Sequence, residues 1–247
     1  MTLHEMLHHL DDLLAVGQFN DYCPNGLQIE GRSEIKTLVT GVTASQALID
    51  EAVAMGADAL LVHHGYFWKG EDARITGIKR RRIASLLAAD VSLLAYHLPL
   101  DAHPRLGNNV QLAERLGFIR QATAADGLLM SGCLEHKMSI EQLADHIGQS
   151  LERDVLCVGD GPAQIESLAW CSGAAQSYID QAADLGVDAF ISGEISEPTV
   201  HIARERGIHY LSCGHHATER YGVQALGEYL AQHFSLTHYF IDIDNPV

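Results

Sequence analysis

The chain has 247 residues, 47% of them hydrophobic and 19% charged, with a formal net charge of −16 at pH 7. That content builds real cores and excludes broad disorder. The acidic balance argues against gripping nucleic acid by its backbone, which needs Lys and Arg. No apolar stretch reaches membrane-spanning length. The five cysteines are widely separated and read as reduced thiols of a cytoplasmic protein.

In chain order, Thr2-Leu3-His4-Glu5 carries a capping-box pattern. It opens an amphipathic helix that contains acids, unlike a signal peptide. Ile35 to Gly41 reads as a strand. A helix, a stop at Gly56 and a buried strand from Ala57 to Val62 follow, and that strand runs into His63 and His64. Lys79-Arg80-Arg81-Arg82 opens a helix over about Ile78–Ala89. Positive charge there opposes the helix dipole. Phosphate binding or a subunit contact would explain it, and a solvated face is the plainer reading. Val91 to Tyr96 is a second apolar strand, with His97, Asp101 and His103 beyond it. A helix at Asn108–Leu116 precedes a junction near Gln121–Gly127.

The second half repeats the first. Ser139-Ile140-Glu141-Gln142 is another capping box, and Ile165–Cys171 another strand. Aligning Gly41–His64 with Cys171–Glu194 gives eight identities in 24 ungapped positions, Gly56 and Asp58 meeting Gly186 and Asp188 among them. A helix at Glu197–Arg206, a strand at Ile208–Cys213 and a helix at Thr218–His233 complete the half. The expected fold is therefore α/β, two similar βαβ-rich lobes related by internal duplication. The lobes cover residues 1–126 and 127–247, with the C-terminal segment packing back on the first and a metal site in the cleft between them.

The candidate ligands are His63, His64, Asp101, His215 and Glu219, each at the end of a predicted strand, where α/β sheets gather ligands. Oxygen and imidazole without thiolate suit catalytic divalent ions better than a structural zinc. His215 and Glu219 are four apart at a helix start, hence on one face. His216 competes with His215 for that role. Two ions about 3.5–4 Å apart would activate water. His97 is the candidate proton shuttle. Fe, Zn, Mn, Co and Ni all fit the donors.

The chain resembles the Nif-three-like family, also called GTP cyclohydrolase I type 2 homologues, in its short form. The resemblance rests on Pro24-Asn25-Gly26-Leu27-Gln28, His63-His64-Gly65, Tyr96-His97-Leu98-Pro99-Leu100-Asp101, Gly107-Asn108-Asn109 and Gly214-His215-His216-Ala217-Thr218-Glu219-Arg220. It implies two α/β domains and a dinuclear metal centre on the same five ligands. It also implies a homohexameric ring with sites facing an inner cavity. The activity it implies is a metal-dependent hydrolase on a nucleotide or purine-like small molecule, of the GTP cyclohydrolase type. A non-catalytic metal-binding adaptor and a metal-dependent phosphoesterase are the alternatives. Gly65 stands where the family usually has Pro, and Leu98-Pro99 where it usually has Thr-Asn.

Overall fold

A computed structural model describes all 247 residues. The chain forms two compact units, Met1–Gly107 with Gly222–Asp244, and Asn108–Tyr221 with Asn245–Val247. The fold is mixed α/β with one sheet in each unit. No helix is long and apolar enough to cross a membrane.

The first unit runs α1 (Leu3–Leu13), β1 (Gly26–Ile29), β2 (Thr37–Thr43), α2 (Gln46–Ala54), β3 (Ala59–His64), α3 (Gly77–Ala89), β4 (Ser92–Ala95) and α4 (Leu98–Ala102). It is completed by β11 (Thr237–Phe240), and the sheet order is β1-β4-β3-β2-β11. The predicted capping box opens α1: the Glu5 amide donates to Thr2 Oγ1 at 3.2 Å and the Thr2 amide to Glu5 Oε2 at 2.8 Å. Met6 and Leu10, one turn apart on α1, are wholly buried against Leu38, Leu61 and Leu94 of the sheet. β2, β3 and β4 are parallel, with β1 antiparallel along β4. Helices pack on both faces, so β3 is buried along nearly its whole length, as a central parallel strand should be.

The second unit runs α5 (Asn108–Leu116), β5 (Ile119–Ala124), β6 (Leu129–Met138), α6 (Ile140–Leu151), β7 (Leu156–Val158), β8 (Ile165–Cys171), α7 (Ile179–Asp184), β9 (Ala189–Ser192), α8 (Glu197–Arg206) and β10 (His209–Ser212). Its sheet order is β5-β6-β8-β9-β10-β7. The long helix α9 (His215–Phe234) starts in this unit, and from Gly222 it belongs to the first. The junction expected near residues 121–127 is the tip of the β5–β6 hairpin, inside the second unit. α5 belongs to this unit because Val110, Leu112, Ala113 and Leu116 bury against Leu168 and Trp170 of β8.

Within each unit the repeated stretches are built alike. Leu38 pairs with Ala59 in the first sheet and Leu168 with Ala189 in the second, each residue 130 positions from its counterpart. Asp58 Oδ2 accepts from the amides of Lys36 and Thr37, both at 2.8 Å. Asp188 Oδ2 accepts from those of Glu166 and Ser167, both at 2.9 Å. Gly56 and Gly186, which end α2 and α7, take φ of 69° and 72°, the left-handed region glycine enters without strain.

Candidate metal centre

In the first unit, β3 delivers His63 and His64 at its last two positions. Neighbouring strand residues ordinarily face opposite sides, yet these rings lie with centroids 4.5 Å apart. The chain turns immediately afterwards. Gln28 clamps the turn by accepting from the Tyr66 amide at 2.7 Å and donating to the Tyr66 and Pro24 carbonyls. A Cβ at Gly65 would fall 2.1 Å from Gln28 Oε1, so this clamp requires glycine. His63 is fully buried, and its Nδ1 lies 2.9 Å from the Tyr96 carbonyl. A carbonyl only accepts, so Nδ1 carries the proton and Nε2 the lone pair. His64 Nδ1 meets Thr43 Oγ1 at 3.1 Å.

Asp101 stands on α4, with Oδ1 3.4 Å from His63 Nε2. Gly107 lies against the carbonyls of Leu100, Asp101 and His103, where a Cβ would come within 2.5–2.8 Å of backbone oxygen. Glycine there lets the chain close behind Asp101. His103 serves this turn: its Nδ1 accepts from the Leu106 amide at 2.9 Å.

His97 precedes α4. Its amide donates to Asn25 Oδ1 at 2.7 Å, and its Nδ1 lies 2.9 Å from Asp21 Oδ1. Asp21 also accepts from Asn25 Nδ2 and the Leu98 amide. Burial pushes the Asp21 carboxyl up, but His97, Asn25 and Leu98 outweigh it and hold it near about 2. Donor atoms of His63, His64 and His97 lie within 4.8 Å of one another. Tyr22 and Trp68 meet the His97 ring edge-on at 5.1 and 5.0 Å. Cys23 also approaches Asp21 and His97. Burial, reinforced by Asp21, pushes its thiol up to about 12, so it remains a thiol and a poor ligand.

In the second unit, β10 leads through Gly214, at φ 92°, into the first turn of α9. His215 Nε2 lies 3.1 Å from Glu219 Oε2, and its Nδ1 lies 2.7 Å from Glu194 Oε1. His215 is thus an imidazole paired with Glu219. Burial favours a neutral ring, but Glu219 and Glu194 outweigh it and raise His215 to about 9. A Cβ at Gly173 would fall 2.0 Å from Glu219 Oε1 and 3.2 Å from His215 Nε2, so the glycine leaves room for both.

The donors fit a divalent cation. Two ligands about 2.1 Å from one ion, subtending tetrahedral to right angles, stand roughly 3.0–3.4 Å apart. The His63–Asp101 and His215–Glu219 separations of 3.4 and 3.1 Å match. Anchored Nδ1 atoms present Nε2 for coordination, the arrangement that fixes ring orientation in metal sites. Asp21, Asn25, Glu194 and Gly173 escaped the sequence reading. Glu194 had a signal, because it aligns opposite His64 in the repeat; Asn25 lies within a segment that carried the resemblance.

The profile of the Duf34/NIF3 family (NGG1p interacting factor 3) matches residues 1–246. A protein of Allochromatium vinosum named GTP cyclohydrolase 1 type 2 homolog is 56% identical over 246 residues, spanning 99% of this chain and 97% of its own. The Escherichia coli K12 protein of the same name is 52% identical over 243 residues, 98% of each chain. Among solved structures, a structural-genomics protein called ybgI, of unknown function, superposes with TM-score 0.98 at 50% identity over 100% of both chains. TTHA1606 from Thermus thermophilus does so with TM-score 0.93 at 32% identity, again over 100% of both.

Proposed function

The chain belongs to the Duf34/NIF3 family, and on that premise we propose that it is a metal-dependent hydrolase acting on a nucleotide or purine-like small molecule. The observation that carries this reading is the anchoring of His63 and His215, each with Nδ1 on a protein acceptor and Nε2 facing a carboxylate. We propose that His63, His64 and Asp101 act with His215 and Glu219 as one dinuclear centre. His215 and Glu219 alone supply too few donors for an ion that takes four or more. The shared register and twin aspartate clamps support an ancestral duplication, after which only the first copy kept the double imidazole.

Bound divalent cations would supply Lewis-acid polarisation and acidify water. The protein's own groups do the rest. His97 holds and passes a proton at Nε2, while Asp21 and the Asn25 contact fix its orientation. Tyr22, 52% exposed, lies 5.9 Å from Trp68 and offers a planar base a stacking surface beside His97. The homohexameric ring is proposed with this reading, and mass photometry reads it directly.

The test is turnover of a nucleotide panel by metal-loaded protein, with metal content read by mass spectrometry. His215→Ala and Glu219→Ala should lose metal and, with it, at least about 100-fold of any turnover. Undiminished turnover in both variants overturns the site. Failure of every substrate by protein that holds its metal favours the adaptor reading.

A further inference from the structure

One cavity of the first unit, about 320 Å³, lies beside the start of α3. Its lining includes Tyr66, Thr76, Arg74, Lys79, Arg82 and the carboxylates Glu71 and Asp72. The volume falls at the small end of the roughly 300–1,000 Å³ typical of small-molecule sites.

The charges in this wall do not cancel. Lys79 Nζ lies 3.2 Å from Glu71 Oε1, and Arg74 Nη2 lies 2.6 Å from Asp72 Oδ2. Both carboxylates are therefore already matched. Arg82 remains, and no carboxylate meets its guanidinium. Its Nε–H is shut away from solvent and donates to nothing. That Nε–H is out of a ligand's reach, so the guanidinium faces the cavity through its two Nη groups. Glu71 and Asp72 share the wall with Arg82, but their ion pairs are with Lys79 and Arg74. Thr76 caps α3 by position, but its side chain makes no capping bond, which leaves its hydroxyl available in the same wall.

We propose that this cavity is a phosphate subsite, with Arg82 as its principal ligand and Thr76 and Lys79 beside it. A guanidinium offers planar paired donors that match two oxygens of a phosphate. The position also suits a substrate. The loop leaving His64 puts Tyr66 in the cavity wall and, two residues on, Trp68 against His97. A phosphorylated small molecule held by its phosphate at Arg82 would extend along this loop towards the imidazoles. That assignment to the substrate rests on the hydrolase reading; the anion subsite itself does not.

The experiment is equilibrium dialysis of radiolabelled inorganic phosphate against the full chain at moderate ionic strength. Wild type, Arg82→Gln, Arg82→Lys and Glu219→Gln are compared, with thermal unfolding checked for each. Wild type should show one saturable site. Arg82→Gln should bind about tenfold more weakly or worse, Arg82→Lys in between, and Glu219→Gln like wild type. Should Arg82→Gln fail to fold, Arg82→Lys carries the comparison. No saturable binding to wild type, or wild-type affinity in the folded Arg82 variants, overturns the subsite. Loss of binding in Glu219→Gln alone also overturns it, because the phosphate would then sit at the metal ligands. Nucleotide turnover is scored separately, so its failure alongside intact phosphate binding refutes the hydrolase and not the subsite.

Discussion

Gly173 and Gly186 separate two demands that glycine can meet. Both have positive φ, 65° and 72°, so alanine at either strains the backbone by about 1 kcal/mol. At Gly186 nothing lies within 4 Å of the added methyl, whereas at Gly173 the methyl meets Glu219 and His215. Gly173→Ala and Gly186→Ala should therefore show similar small falls in melting temperature. Only Gly173→Ala should also lower bound metal per chain, and equal metal content in the two would remove Gly173 from the site. The five proposed ligands could be picked out in the sequence because His63 and His64 close one apolar run and Asp101, His215 and Glu219 follow two others. The partners that orient His97 and His215 are much less legible. Asp21 is 76 positions from His97 and Glu194 is 21 from His215, so only folding brings them together.

The strand-to-strand clamps set by Asp58 and Asp188 act at the scale of the element. Burial pushes both carboxyls up, but the amides of Thr37 and Lys36, and of Ser167 and Glu166, outweigh it; Arg32 adds to this at Asp58. Both folded-state values are thus depressed below an unfolded value near about 3.9. Their contribution is fully present above that pH and is lost as pH falls through the lower folded values. Asp58→Asn and Asp188→Asn should each destabilise by about 1–3 kcal/mol at pH 7 and flatten the acid limb of the stability curve below about pH 4. Urea unfolding across pH checks this, and an acid limb as steep as wild type in both variants would refute it. The apolar runs of β3, β4, β8 and β10 identify themselves as strands because both faces are buried. β5 and β11 do not. β5 is exposed along nearly its whole length, and β11 alternates exposed with half-buried residues over only four positions. Hydrophobic periodicity is too weak there to detect.

For the whole molecule, the edge of the first sheet is supplied by the end of the chain. β11 runs parallel to β2, Thr237 beside Thr37 and Phe240 beside Thr40. Truncation after Phe234 would bare the hydrogen-bonding edge of β2, a strand whose five central residues are buried. The truncated chain should aggregate on warming at least several degrees below wild type, as light scattering would show; matched onset temperatures would mean that β11 contributes little. The repeat in the sequence points to a boundary near residue 126, because it marks where the similar stretches begin and end. Burial reports packing, and it places α5 in the second unit and most of α9 in the first.

This arrangement inverts the order in which the ribosome can finish the two sheets. All strands of the second are in hand once Ser212 has emerged, whereas β2, made among the earliest, waits for residues 237–240 to cover its flank. A nascent chain paused in between is half complete and sticky along one border, the form in which a holding chaperone would find most to grasp.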